Sequence, residues 1–583
     1  MVFRYGAGES RFTEFKHHVE EKQWSPVVYF DAPRCILCYR CVRICDEGIG
    51  VKALGVGNRG AYAEIIPNKG DHLECDECGA CIDICPVGAL TSGIYRYQTR
   101  PWEMEHIGTI CTHCSDGCKT TLAVRNNQIM RGNNRDRSGI NGEFLCIKGR
   151  YGFDFTSHPE RLQSPLLRAG GDLEEVSWSA ALAAVAERFQ QVKDAGGRFG
   201  VIGSTHTSNE EDYYLQKFAR VGLGTNNIDH HRSGDVPALL DALAGREDSL
   251  ATAGALYTAR AVLVIGADLA QQHPLLAYQI RANWRHHKAN VYVVTRGPVR
   301  EDKIALRKIR APGGAEMQAA VESLDGDLKK EKDLVILFGD AIKGDRVGRL
   351  VAFGDSLGIP VRYVCLTDCS NSRGAMDMGL LPHLGPGYQP APGEKGLALP
   401  EMLADPEFDV FWVVGANPLK SAELASQRAF VVVQDLFLTE TARRADVVLP
   451  AASAYEKNGT VTNVCGQVQR LKKAISPLGA KTDLDIFRLL ARGMRLDLGP
   501  AQHDKVFEEI RSTVRGYNIA LPVIITGGAA ETCPVNGRVP ADSRPELIRS
   551  AGDTLFTSGS LGRYSKLLRS VMEAPGELYK PSR

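Results

Sequence analysis

Charge of either sign is nearly absent in the balance: 70 Lys and Arg face 69 Asp and Glu, leaving +1 over 583 residues. Without a dominant sign there is no long-range field to hold nucleic acid or an anionic membrane surface. No apolar run reaches 18 residues, so no segment can cross a bilayer as a helix. The stretch from Met1 to Glu20 carries Arg4, Glu9, Arg11, Glu14, Lys16 and Glu20 and lacks the apolar core of a secretory signal. The expected location is therefore the cytoplasm. Neither a Gly-x-Gly-x-x-Gly string nor a Walker loop is read in the sequence, and no nucleotide site is expected on the chain. At roughly 100 to 200 residues per domain, this length suits about three to five domains.

What the sequence does hold is cysteine, and holds it unevenly. Twelve of the 16 lie between Cys35 and Cys146; the rest of the chain has only Cys365, Cys369, Cys465 and Cys533. In a reducing compartment, dense and regularly spaced thiols point to metal rather than to disulfides. Two runs, Cys35-x2-Cys38-x2-Cys41-x3-Cys45 and Cys75-x2-Cys78-x2-Cys81-x3-Cys85-Pro86, have the spacing of two-cluster ferredoxins, in which the fourth cysteine of each run serves the other cluster. The expected quartets are Cys35, Cys38, Cys41 and Cys85 for one [4Fe-4S] cluster, and Cys75, Cys78, Cys81 and Cys45 for a second. Asp46 stands where the first run would carry its trailing proline. A third set, Cys111-x2-Cys114-x3-Cys118 with Cys146, suits another [4Fe-4S] cluster, with zinc as the rival reading.

Beyond Cys146 the texture changes. Continuous apolar runs such as Ala261 to Ala267, Asp333 to Gly339 and Asp409 to Gly415 alternate with helical patterns such as Trp178 to Gln191 and Glu210 to Val221. Runs without a polar face are strands covered on both sides, which predicts a parallel α/β sheet. Gly266, Gly339 and Gly415 end such strands, at the edge where open sheets bind ligands. Leu380 to Gly396, rich in Gly and Pro, reads as a long surface loop or linker, and no internal repeat stands out.

The segment from Cys111 to Asp154, followed by Ser157-His-Pro-Glu-Arg-Leu162, resembles the opening of the molybdopterin oxidoreductase superfamily, which includes formate dehydrogenases. Gly415-Ala-Asn-Pro418, Val433 to Thr441, Ala445 to Pro450 and Asn458 to Asn463 are similar to its later blocks. One departure bears on function. Active members carry a cysteine or selenocysteine as the molybdenum or tungsten ligand after an Asn-Asn-x-Asp segment. This sequence reads Asn226-Asn-Ile-Asp-His-His-Arg-Ser-Gly-Asp235, with no thiol and only Ser233 as a possible oxygen ligand. The resemblance therefore implies a scaffold with no molybdopterin or molybdenum expected.

Arg34 to Arg43, Ile84 to Leu90 and the lead-in Tyr5 to Phe12 resemble the large iron-sulfur subunit family of respiratory complex I, as do Phe556 to Lys566 and Ala574 to Gly576. That resemblance implies an oxidoreductase subunit that relays electrons from the NADH-oxidising flavoprotein toward quinone. It implies the other peripheral-arm subunits as partners, the cytoplasmic side of the inner membrane as location, and no substrate site of its own. The family's upstream [2Fe-2S] and His/Cys-ligated domains are expected to be missing from this chain. The alternatives are a molybdenum- or tungsten-dependent formate dehydrogenase-type subunit, a soluble hydrogenase or diaphorase subunit, and a zinc-stapled scaffold.

The expected organisation is a lead-in over 1–30, a two-cluster ferredoxin-like domain over 31–104, a [4Fe-4S] domain over 105–160, a multi-domain α/β scaffold with parallel sheets over 161–500, and an extension over 501–583. Lys148, two residues past Cys146, reads either as a charge that helps set a cluster potential or as a surface cation. Arg34, Arg40 and Arg43 read either as offsets to thiolate charge or as a solvated face. Cys365, Cys369 and Cys465 read as inert thiols, and His206, His230 and His231 as ordinary surface or core residues.

Overall fold

A computed structural model of the chain describes residues 19–524 and 552–574, together with 4, 6, 12, 13 and 15 of the lead-in. Cys533, most of Tyr5 to Phe12 and Pro575-Gly576 lie outside the described residues. The chain divides into two compact units, Met1–Arg96 and Tyr97–Glu573. Among the described residues no helix is long and apolar enough to cross a membrane.

The first unit is small and mostly irregular. Strands Lys22–Gln23, Val28–Phe30 and Leu90–Ser92 form an antiparallel sheet, and Leu54–Gly57 pairs with Glu64–Pro67. Two short helices, α1 (Arg40–Arg43, running on into a wider turn over Ile44–Ile49) and α2 (Ala80–Ile84), pack against each other. The apolar core is thin: Trp24 stacks on Phe30 at 4.3 Å beside Val27, Ile49, Leu54 and Ile65. A core of this size needs a second source of stability.

The second unit opens with a three-stranded antiparallel sheet, Glu105–Ile110, Lys119–Arg125 and Gln128–Asn133, against which α3 (Ile147–Tyr151) packs. Two larger sheets follow. One has seven strands in the order Asp172–Glu175, Leu166–Ala169, Val447–Pro450, Phe430–Asp435, Val410–Val414, Phe199–Ile202 and Ile228–Asp229. The other has five, in the order Arg307–Arg310, Asn290–Thr295, Ala261–Ile265, Leu334–Phe338 and Val361–Cys365. The five-stranded sheet is parallel throughout; in the seven-stranded one only Leu166–Ala169 runs against the others, antiparallel to both its neighbours.

The continuous apolar runs have the expected cause. Ala261, Leu263 and Ile265 enter one core cluster, while Val262 and Val264 enter another on the opposite face. The covering helices α4 (Trp178–Asp194) and α5 (Asn209–Lys217) appear where the periodicity places them, and α6 (Pro274–His287) adds a third.

Three sequence expectations are corrected. The first half of Leu380 to Gly396 is not at the surface, because Leu380, Leu381 and Leu384 are fully buried and Tyr388 is 3% exposed, whereas Gln389, Pro390 and 392–395 are exposed as a surface loop would be. Just before it Gly379, at φ +86°, leaves no room for a Cβ beside Gly385 and Pro386. The absence of an internal repeat also fails, since the two cysteine runs repeat each other in backbone conformation, as described below. Finally, Gly55-Val-Gly57-Asn-Arg-Gly60 spells a Gly-x-Gly-x-x-Gly string. It lies in an antiparallel hairpin and opens no helix, so it lacks the context of a dinucleotide fold. Gly55 and Gly57 are there because a Cβ would meet Asn68 Oδ1 at 2.1 Å and Ile66 Cδ1 at 2.7 Å.

Candidate metal centres

In the first run Leu37 and Tyr39 hold φ values of 52° and 60°; in the second, Glu77 and Gly79 stand at the equivalent places with 50° and 69°. Left-handed backbone costs a non-glycine residue roughly 1–3 kcal/mol, and here it wraps each loop around its own thiols. The amide of Leu37 points at Cys35 Sγ (3.4 Å), and that of Glu77 at Cys75 Sγ (3.3 Å). Each run then enters its helix, which carries the fourth cysteine away from the first three.

The destination of that fourth cysteine is decisive. One hollow of about 330 Å³ is lined by Cys35, Cys38, Cys41 and Cys85, with Phe30, Ile36, Tyr39, Ile65 and Leu90 as apolar wall. A second, of about 380 Å³, is lined by Cys45, Cys75, Cys78 and Cys81, with Asp76 and Glu77 among its walls. The runs exchange their last cysteines because α1 and α2 pack side by side. The amide of Ala53 donates to Cys45 Sγ at 3.2 Å.

The third quartet has a different scaffold. Cys111, Cys114 and Cys118 sit on the loop joining Glu105–Ile110 to Lys119–Arg125, closed by the Cys111 amide on the Cys118 carbonyl at 2.9 Å. Gly117, at φ +75°, turns this loop where a Cβ would meet Gln469 Oε1 at 2.1 Å. Cys146 caps α3, and all four thiols line a hollow of about 330 Å³ with Asp116, Phe144, Leu145, Gly149, Pro274, Leu275 and Tyr278.

All described cysteines are free. Burial, followed by the neighbouring groups, pushes the thiols of Cys41 and Cys111 up to about 12 and those of Cys75, Cys81, Cys114 and Cys118 well above the usual thiol range. Four crowded thiols of this kind stay protonated unless a cation holds them as thiolates. The sulfurs ring hollows, the arrangement a multi-iron core requires; zinc would draw four sulfurs to about 2.3 Å from one point.

Other sequence candidates fall as follows. Lys148 is buried, at 5% exposure, so it is no surface cation. Arg34 pairs with Asp31 (2.9 Å) and Arg43 with Glu47 (3.0 Å), which leaves less of their charge to offset thiolates than the sequence suggests. Cys365 and Cys369 are buried, and Cys465 is half-buried. Cys369 faces Cys114 across an isolated antiparallel bridge, a proximity invisible to spacing rules. His230 is wholly buried, its Nδ1 donating to the Leu380 carbonyl at 2.7 Å. Where active molybdopterin enzymes present a metal ligand, Ser233 Oγ accepts the Asp368 amide at 2.9 Å, and Arg232 and Asp229 form a buried ion pair at 2.8 Å. No thiol is present in that segment, and the Ser233 hydroxyl is engaged by that amide.

Fold and centres together define an iron-sulfur protein built on the molybdopterin oxidoreductase scaffold. Family-wide sequence models agree: residues 161–492 match molybdopterin oxidoreductase, 104–158 its Fe4S4 domain, and 25–91 the ferredoxin-like domain of NADH-quinone oxidoreductase subunit 3. A solved structure, acetylene hydratase from Pelobacter acetylenicus, shares the fold with a TM-score of 0.53 at 14% identity, over 67% of this chain and 69% of that one. Among curated relatives, the second NADH-quinone oxidoreductase G-subunit of Rhizobium meliloti is 32% identical over 99% of this chain and 77% of its own length. The G-subunit of the Streptomyces coelicolor enzyme is 32% identical over 86% of this chain and 66% of its own. The alpha subunit of the NADPH-Fe(3+) oxidoreductase of Geobacter sulfurreducens is 27% identical over 96% and 77%. The chain belongs to the NADH-quinone oxidoreductase G-subunit family.

Proposed function

We propose that this chain is an iron-sulfur electron-transfer subunit of an NADH-quinone oxidoreductase, holding three [4Fe-4S] clusters: on Cys35, Cys38, Cys41 and Cys85; on Cys75, Cys78, Cys81 and Cys45; and on Cys111, Cys114, Cys118 and Cys146. Such clusters supply one-electron redox chemistry. The chain's own residues space the centres, bury them and aim amides at their sulfurs. The observation that carries the reading is the exchange of Cys45 and Cys85 between two hollows, each ringed by four thiols. The partners are the NADH-oxidising flavoprotein and the other subunits of the peripheral arm, on the cytoplasmic side of the membrane. The segment around Ser233 offers no thiol ligand, which speaks against molybdenum catalysis.

The test is to mix the anaerobically purified chain with the NADH-oxidising flavoprotein of an NADH-quinone oxidoreductase and add NADH. The cluster absorbance should bleach only when both are present. Bleaching by NADH with this chain alone would contradict an electron relay that lacks a nucleotide site.

A further inference from the structure

Asp116 is the one carboxylate lining the third hollow, and it is 1% exposed. Two donors fix it from the same side. His273 Nδ1 lies 2.8 Å from Asp116 Oδ1, and the Leu275 amide at the start of α6 donates to Oδ2 at 3.0 Å. A carboxylate only accepts hydrogen bonds, so His273 carries its hydrogen on Nδ1. Pro274, Leu275 and Tyr278 of α6 then roof the hollow above the four thiols. The anion is thus held against the centre by a helix that also excludes water, where charge acts through a low dielectric.

Resting on the reading that the third quartet holds a cluster, we propose that Asp116 lowers the reduction potential of that cluster, opposing the buried ammonium of Lys148. Reduction adds one electron, and a fixed negative charge beside the cluster disfavours the added charge. Asp116 lies between Cys114 and Cys118, and Lys148, 5% exposed, lies two residues past Cys146 in α3, so the chain ties each ion to a different ligand segment. The balance of the two charges sets how readily the cluster takes an electron.

The experiment is a dithionite titration of the full chain followed by electron paramagnetic resonance, with one electron passing from dithionite to each cluster. Asp116→Asn should raise the midpoint of the third cluster and leave the other two unmoved. Lys148→Met should lower the same midpoint, a reversal of sign that loosened packing would not produce. Asp116→Glu, which keeps the charge, should stay closer to the unaltered chain than Asp116→Asn. A loaded third cluster whose midpoint ignores Asp116→Asn would overturn the inference. So would failure of both Asp116 variants to assemble the cluster, since Asp116 would then be a folding residue. An unaltered chain with about eight irons and no third signal would instead refute the cluster reading itself.

Discussion

At the scale of single residues, the fourth cysteine of each run makes the sharpest statement. Cys85 belongs to the second run by sequence and to the first hollow by position, and Cys45 is its mirror. Cys85→Ala is accordingly expected to abolish the cluster whose remaining ligands are Cys35, Cys38 and Cys41, while the Cys75, Cys78 and Cys81 cluster keeps its paramagnetic signal. Loss of the second signal and survival of the first would mean that each run serves one cluster alone. The grouping of the thiols around three hollows was legible in the sequence because spacing limits which thiols can share one centre. Asp116 was not legible, because a lone acid in a loop gives no spacing signal, and its partners His273 and Leu275 are 157 or more residues away in sequence. Lys148 was legible as a cation, whereas its burial depended on a fold that spacing does not encode.

At the scale of elements, α5 shows where periodicity reads a helix correctly and misreads its surroundings. Its pattern predicts a covering helix, and one is found, but Asn209, Glu210, Glu211 and Asp212 at its start are buried at 2% exposure or less. Their partners come from distant segments: Thr460 bonds Glu210 through its amide and hydroxyl, and Asn371 bonds Asp212. Lys457 bridges Glu211 at 2.7 Å and Asp483 at 3.0 Å, with all three groups buried. Removing one member of such a set leaves uncompensated buried charge. Lys457→Met is therefore expected to destabilise the second unit by about 3–5 kcal/mol, read from urea unfolding. A change below about 1 kcal/mol would mean that these carboxylates are held without the ammonium. Strands were the most legible elements, since Val- and Ile-rich runs of five or six residues leave few alternatives once both faces are covered. Only the first half of Leu380 to Gly396 was misread, because its buried leucines lie among Gly and Pro, which mark turns without saying whether the turn is inside or out.

At the scale of the whole molecule, acid stability carries a recognisable signature of burial. Burial lowers His230 to about 4, so between its ordinary value near 6.5 and about 4 the unfolded chain binds a proton that the folded chain refuses. Stability from this group is complete above about 6.5 and is lost as pH falls, by roughly 1.4 kcal/mol per pH unit within that window. Burial acts oppositely on Glu210 and Asp435, raised to about 7, which makes the fold lose stability as pH rises through the range above their ordinary values. The two effects oppose each other in the unaltered protein, and His230→Asn separates them. The variant should lose less stability than the parent on going from pH 6.5 to 4.5 in paired urea titrations. Equal losses would show that His230 takes up its proton in the folded state.

The two units also divide the roles. The first, with little apolar core, should depend on its clusters for folding; the second has large two-faced sheets of its own. What joins them functionally is the claim that every thiol quartet holds iron and that the segment around Ser233 holds no heavy metal. That claim is tested most directly by elemental analysis of the anaerobically purified chain. The account predicts about twelve irons per chain, from three four-iron clusters, with no stoichiometric molybdenum or tungsten. One equivalent of either heavy metal, or zinc in place of iron, would contradict it.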